Sequence, residues 1–307
     1  MSQLEDRLAE ELVVDELRRA DPDGSRMARV LRETLDQLYD GQHTGRYRWD
    51  QLFKTEKTHC GTLVEINLQR EFRFNDGLKL DYNISGQEVD CKYSQSFGGW
   101  MIPKEAHGEV CLVVTADDAK GSWSAGVVRA RPEWLNLGEN RDAKVTIKAA
   151  FRDQHVRWLH REAPLPPNVL LTLPKVDIDA IFSKRSGQQR VDELFRRAAG
   201  LRISRGVVAT VAQQSDFMKR VRGNGGSRTR LLPEGYLLLG DSQAHRLLAV
   251  SLGLPEPVKG ETVSVRVVRA EEAEEAPTVF LDDVGWRVAR QGDPVGPGPL
   301  LPNPRAS

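Results

Sequence analysis

The segment LKLDYNISGQEVDCKY, Leu78 to Tyr93, alternates apolar and polar residues on both sides of Ser85-Gly86. That is the pattern of two short strands joined by a tight turn. Leu80, Tyr82 and Ile84 share a face of the first arm, and Val89, Cys91 and Tyr93 share a face of the second. A strand repeats every two residues, so Asp90 and Lys92 point together to the other side, and Asp81 lies opposite its own arm's apolar set. Two carboxylates and one ammonium therefore collect on the non-core side of a small sheet.

Carboxylate oxygens are the hard ligands that Mg²⁺ prefers, and Mg²⁺ is commonly held by one or two of them with phosphate and water. A lysine beside the metal lowers the pKa of an attacking water or offsets charge on phosphorus. An Asp, a short gap and then Asp-x-Lys is how many Mg²⁺-dependent DNA-cutting enzymes build their site. The bland alternative is a hairpin with a solvated, salt-bridged face, which is the more common reading of the tripeptide taken alone.

Outward from the hairpin, Leu4, Leu8, Leu12 and Leu17 line a helix that stops near Asp21-Pro22-Asp23-Gly24. A second helix starts at Ser25 and buries Met27, Leu31, Leu35 and Leu38, with Gly41 just past its end. Thr55 to Phe72 reads as a third helix, carrying Glu65 sixteen residues before Asp81. A helix that runs directly into the sheet can deliver one more carboxylate to the metal side, although most helical glutamates are simply solvated. After the hairpin, Ser94 to Pro103 reads as a loop, and Val110 to Thr115 and Trp123 to Ala130 read as strands. The unbroken apolar run at Val110–Val114 suits a central strand covered on both faces. Arg131 to His160 has no clean period, though Lys144 to Ala149 suggests a strand. Helices before buried strands indicate an α/β domain with a mixed sheet.

The 307 residues suffice for two domains, and 39% hydrophobic with 29% charged residues is ordinary for a globular chain. Formal net charge is zero, so any attraction to nucleic acid rests on local patches. Three cysteines, Cys60, Cys91 and Cys111, are too few and too scattered for a disulfide framework or a structural zinc site, and suit a reducing, cytoplasmic setting. No stretch reads as a signal peptide or membrane span. Prolines from Ala163 to Pro167 and at Pro174 mark a semi-rigid linker. The expected organisation is a first domain over 1–162, a linker over 163–175, and a second domain over 176–307.

The second part reads as helices at Arg190–Ala199 and Ile203–Gln213, with a short third one capped by Ser215 or Asp216 and holding Phe217, Met218 and Val221. Gly223-Asn-Gly-Gly226 and strands at Tyr236–Leu239, Thr262–Val268, Thr278–Leu281 and Trp286–Ala289 follow. Three short helices, a glycine-rich loop and strands are the order of a winged helix-turn-helix module. Seven basic residues, Arg202, Arg205, Lys219, Arg220, Arg222, Arg228 and Arg230, stand against the single acid Asp216 in this stretch. That is a positive field suited to a phosphate backbone; a charged solvent face beside a flexible loop is the plainer reading. Glu271-Glu272-Ala-Glu274-Glu275 reads as an acidic loop, and the proline-bearing tail from Asp293 as disordered.

A metal hairpin and a basic helix-turn-helix-like patch both point at DNA, and the chain then resembles a known family. The runs Val30-Leu-Arg-Glu-Thr-Leu-Asp-Gln-Leu-Tyr-Asp-Gly41, Lys54-Thr-Glu-Lys-Thr-His59, Gly61-Thr-Leu-Val-Glu-Ile-Asn-Leu68, Ala209-Thr-Val-Ala-Gln-Gln and Asp216-Phe-Met-Lys-Arg-Val-Arg-Gly223 are similar to the NaeI-type restriction endonucleases, with similarity from about residue 20 to about residue 294. The resemblance implies a restriction-endonuclease core joined to a helix-turn-helix DNA-binding domain, in a homodimer that uses Mg²⁺. It implies cutting in the middle of the palindrome GCCGGC, with a second copy of that duplex acting as allosteric effector, so that a dimer takes two duplexes. It also carries the family's catalytic glutamate onto Glu65, its two aspartates onto Asp81 and Asp90, and its lysine onto Lys92, at spacings of 16, 9 and 2. Glu65, Asp81 and Asp90 are the implied metal residues. Rival expectations are a DNA-binding regulator without catalysis and a strand-nicking repair endonuclease.

Overall fold

Met27, Leu31, Leu35 and Leu38 are buried on α2 (Ser25–Tyr39), as their helical spacing requires, whereas α1 (Gln3–Ala20) buries Ala9, Val13, Val14 and Leu17 and leaves Leu8 and Leu12 of the expected stripe exposed. Asp21, in the turn between the two helices, is itself buried and accepts from the backbone N–H groups of Arg26 and Met27 at 3.1 and 2.8 Å. Its carboxylate thereby satisfies donors at the start of α2 that have no helical partner. The computed structural model describes residues 3–136, 144–271 and 276–302, with side chains from residue 7 onward. Its contacts divide the chain into two compact units, Met1–Leu38 with Arg48–Pro166, and Tyr39–Tyr47 with Pro167–Ser307. Short α3 (Gly41–Thr44) therefore belongs to the second unit.

In the first unit α4 (Lys54–Phe72) leads into a six-stranded sheet in chain order: β1 (Asn75–Asp76), β2 (Tyr82–Ile84), β3 (Gln87–Ser94), β4 (Val110–Asp117), β5 (Ser122–Arg129) and β6 (Arg157–Pro164). Neighbours are antiparallel except β3 and β4, which run parallel. The α/β, mixed-sheet core expected from sequence is therefore present. The turn between β2 and β3 has Ser85 at φ 51° and Gly86 at φ 81°, the two left-handed residues of a type I′ hairpin turn. All of Val110 to Ala116 is buried. Trp100, Ile102, Val113, Val128 and Ile147 form an apolar cluster on one side of the sheet, while α1 packs on β5 and β6 and α4 on β3.

The region without a clean period holds α5 (Ala149–His155) and β6, both missed from sequence; Val145 and Ile147 make isolated bridges to Ile102 and Leu135 instead of a strand. Residues 137–143 lie outside the described set, as do 272–275 of the expected acidic loop.

The stretch read as a linker is ordered structure. β6 continues to Pro164, Leu165 is buried, and Asn168 caps α6 (Val169–Thr172) by accepting from Leu170 N–H at 3.2 Å. Val169 and Leu170 join the core of the second unit, and Pro174 precedes α7 (Lys175–Phe182). Prolines sit here at element ends, where a missing N–H costs nothing. That core continues through α8 (Gly187–Arg197), β7 (Arg202–Ser204) and α9 (Arg205–Ala212). A Cβ on Gly41 of α3 would fall 2.0 Å from Thr210 Oγ1 of α9, so only glycine permits that approach.

The expected third helix is shorter than anticipated, a single 3₁₀ turn over Phe217–Arg220. Asp216 spends its carboxylate on Arg220 at 3.1 Å and caps nothing, and the left-handed Asn224 and Gly225 stop any extension. α10 (Ser227–Arg230), β8 (Tyr236–Leu239), α11 (Gln243–Ser251), β9 (Glu261–Arg269), β10 (Thr278–Leu281) and β11 (Val284–Val288) follow. β8 pairs with the middle of β9, and β7 and β11 with its two ends. The tail expected to be disordered is packed as far as Pro302. Asp293 binds Arg287 at 2.6 Å, Gly298 N–H donates to Leu232 O at 2.9 Å, and Leu301 packs on the cluster around Trp286. Among the described residues no helix is long and apolar enough to cross a membrane.

Candidate functional site

The hairpin brings Asp81, Asp90 and Lys92 together as the alternation required. Lys92 Nζ donates to Asp90 Oδ1 at 2.7 Å, to the Cys91 carbonyl at 2.9 Å and, at the limit of reach, to Asp81 Oδ2 at 3.5 Å. Asp81 Oδ2 also accepts from Cys91 N–H at 2.7 Å, so the first aspartate is tied across the hairpin to the strand that carries the second. Asp90 is only 4% exposed, and its Oδ2 is buried with no hydrogen-bond partner. An ionised oxygen left unsatisfied in a buried place is costly unless a cation or donor completes it.

Glu65 projects from α4, which Tyr82 fastens to the hairpin by donating its hydroxyl to the Glu65 carbonyl at 2.7 Å. Tyr82 lies on the buried face of β2, opposite Asp81, so one strand anchors the helix on one side and presents a carboxylate on the other. Burial raises the Glu65 pKa, and the charges of Asp81 and Asp90 raise it further against the opposing pull of Lys92. Burial likewise pushes Asp90 up to about 6 despite the Lys92 ammonium. For Lys92 burial works the other way, and the two aspartates more than offset it, so it holds its proton more tightly than usual.

All three groups lean toward binding protons, Glu65 and Asp90 chiefly through burial and Lys92 through its two aspartates. Three carboxylates against one ammonium leave a charge of −3 + 1 = −2. A divalent cation would balance that charge, and Asp90 Oδ2 is an oxygen that could meet it. Among the described residues no three His, Cys, Asp or Glu side chains form a ready-made cage; a Mg²⁺ held by two carboxylates, phosphate and water does not require one.

Two residues given no functional role from the sequence shape this site. Tyr82 is the tether just described. Glu88, two before Asp90 on the same strand face, accepts from the backbone N–H groups of Leu78, Lys79 and Leu80 at 2.8, 2.9 and 3.0 Å. The period-two spacing was the available signal for Glu88.

The seven basic residues of the second unit divide. Arg230 binds the buried Asp192 at 2.7 Å, where Ser227 Oγ and Gln188 Nε2 also donate. Arg202 pairs with Glu261 and Arg220 with Asp216. Arg228 donates to the Leu238 carbonyl at 3.0 Å, and burial lowers its pKa. Arg205, Arg222 and Lys219 are exposed, Lys219 at 73% with Asp216 3.6 Å away. The sequence patch is therefore partly an internal ion-pair network and partly solvent-facing charge.

Comparison with known proteins gives a consistent result. A family model described as restriction endonuclease NaeI matches residues 11–297. Over 292 residues the chain is 51% identical to a protein from Lentzea aerocolonigenes named type II restriction enzyme NaeI, a match covering 93% of this chain and 92% of the relative.

Proposed function

Because the chain belongs to the NaeI family of restriction endonucleases, we propose that it is a Mg²⁺-dependent type II enzyme cutting double-stranded DNA at GCCGGC, with Glu65, Asp81, Asp90 and Lys92 as its catalytic residues. The observation that carries the site assignment is the buried Asp90 oxygen left without a hydrogen-bond partner among the carboxylates of Glu65, Asp81 and Asp90.

In this reading Asp81 and Asp90 hold the metal, and Glu65 completes its surroundings directly or through water. A bound Mg²⁺ polarises the phosphoryl group and offsets charge in the transition state. Lys92, kept as an ammonium by its carboxylate neighbours, orients the attacking water beside Asp90. The water oxygen bonds to phosphorus as it releases a proton to solvent, in line with the 3′ oxygen, which leaves with its electron pair and takes up a proton from solvent, so the other product carries a 5′ phosphate. The low exposure of Asp90 limits competition from bulk water for these contacts.

The second unit takes the effector duplex through a winged helix-turn-helix-like surface. Its support is the order α8, β7, α9, 3₁₀ turn with α10, β8, β9, in which β9 pairs with both β7 and β8. The exposed Arg205, Lys219 and Arg222 face solvent for phosphate contact. A homodimer places one cutting site on each strand of a palindrome, so each dimer handles two duplexes. The reduced state of Cys60, Cys91 and Cys111 suits the cytoplasm.

Plasmids carrying zero, one or two GCCGGC sites, incubated with Mg²⁺ or with EDTA, test the proposal. Linear product with ends mapping inside GCCGGC, fastest with two sites and absent in EDTA, is the expected outcome. Cutting indifferent to site number or to chelation would refute it; open-circular product alone would indicate a nicking enzyme, and binding without any cleavage a regulator.

A further inference from the structure

We propose that Glu88 is a positioning residue for the metal-binding carboxylates, acting through the loop that delivers Asp81; this rests on the nuclease reading of the hairpin. Glu88 shares its strand face with Asp90 and Lys92, yet its two oxygens are already filled. Oε1 accepts from Leu78 N–H at 2.8 Å, and Oε2 from Lys79 and Leu80 N–H at 2.9 and 3.0 Å. Three successive amides pointing at one carboxylate define a nest closed by a side chain instead of a bound anion.

That nest is the loop joining β1 to β2, which pair at Asp76 and Tyr82. The loop is tightly wound: a Cβ on Gly77 would lie 2.3 Å from the Leu80 carbonyl oxygen and 3.0 Å from Glu88 Oε2. Its next residue is Asp81. The backbone of Asp81 is thus fixed by Glu88 through Leu78–Leu80, and its side chain by Cys91 N–H at 2.7 Å. Both anchors come from β3, the strand that carries Asp90 and Lys92, so one strand sets the separation of the two metal-holding carboxylates. Groups that orient metal ligands in this way usually change affinity about 10- to 100-fold when altered.

The two variants Glu88→Asp and Glu88→Gln separate position from charge. Aspartate keeps the charge but is one methylene short of the amides, and glutamine keeps the length but turns an NH₂ toward N–H donors. Mn²⁺ alone is the probe, with its binding to the full chain followed by electron paramagnetic resonance without DNA, alongside thermal melting without metal and gel shifts in EDTA. Both variants should bind Mn²⁺ about 10- to 100-fold more weakly, while still melting above the assay temperature and shifting duplex DNA like the parent. Asp90→Asn is the reference and should lose Mn²⁺ binding altogether. Parental Mn²⁺ affinity in both Glu88 variants, beside a defective Asp90→Asn, overturns the positioning role. Unfolding of both at the assay temperature overturns it too, since Glu88 is then a determinant of the fold. Parental affinity in Asp90→Asn instead overturns the underlying site assignment.

Discussion

Asp90 is the side chain in which function and stability conflict most directly. Its carboxyl is pushed up to about 6 by burial, so between its ordinary value near 4 and that point the folded chain holds a proton that the unfolded chain releases. Stability therefore falls as pH rises through this window and stays lowered above it, by at most about 3 kcal/mol. Asp90→Asn removes the penalty together with a proposed metal ligand. In metal-free buffer its melting temperature should match the parent near pH 4 and exceed it by a few degrees at pH 7, roughly as 1–3 kcal/mol requires, while plasmid cleavage disappears. A variant that melts below the parent at pH 7 would show that the Lys92 contact outweighs burial. A similar contrast holds among the arginines. Arg230→Ala strips the buried Asp192 of its cation and should cost about 1–3 kcal/mol in denaturant unfolding, with Ser227 and Gln188 still donating. Replacing the exposed Lys219 and Arg222 by Ala should leave the unfolding midpoint within about 0.5 kcal/mol and lower the salt slope of duplex binding by about 1 per lost phosphate contact; an unchanged slope removes them from the interface.

At the scale of elements, the hairpin is the part with the fewest free choices. Its turn places Ser85 in a left-handed conformation that Asn adopts far more readily. Ser85→Asn should raise the denaturant midpoint by a few tenths to about 1 kcal/mol with cleavage unaltered, and no gain would mean the turn contributes little to the fold. The hairpin and α2 were legible in the sequence because each is written in a local period of two or 3.6, and β4 because its apolar run is unbroken; α1 was legible as a helix, but Leu8 and Leu12 of its expected stripe are exposed and Val13 and Val14 are buried instead. Glu65 was legible as a helical residue, but its approach to the hairpin depends on the Tyr82–Glu65 bond between an element and one that follows ten residues later. Charge partners were harder still to read. Arg230 finds Asp192 across 38 residues and Arg202 finds Glu261 across 59, so counting basic residues overstated the free positive field. Prolines misled in another way, because they disfavour the interior of an element but say nothing about packing at its ends. Leu165, Val169 and Leu170 are buried between them, and the half-buried Leu301 anchors the proline-bearing tail on the Trp286 cluster.

For the whole molecule, the decisive property is that opposite charge requirements are assigned to separate compact units. The first holds a carboxylate cluster of formal charge −2, the proposed seat of a divalent cation. The second offers exposed cations on a core of its own, formed without any residue of the carboxylate cluster. Net charge zero for the chain is the sum of these unlike surfaces, which is why composition gave no hint of a nucleic-acid partner. A duplex bound by the second unit makes no chemical demand on the carboxylates, so any influence it has on cutting is a coupling free energy between two sites, and such couplings are commonly 5- to 150-fold. A short duplex containing GCCGGC, resistant to cleavage and added to a one-site plasmid, should therefore accelerate linearisation by a factor in about that range. With Lys219 and Arg222 both changed to Ala, the rate at the same duplex concentration should drop toward that of the parental chain given no duplex, and more steeply at higher salt as counterion release weakens phosphate binding. Full acceleration of the double variant at 150 mM salt, roughly physiological screening, would exclude this surface as the effector site; acceleration by a duplex lacking GCCGGC would reduce the effect to nonspecific DNA binding.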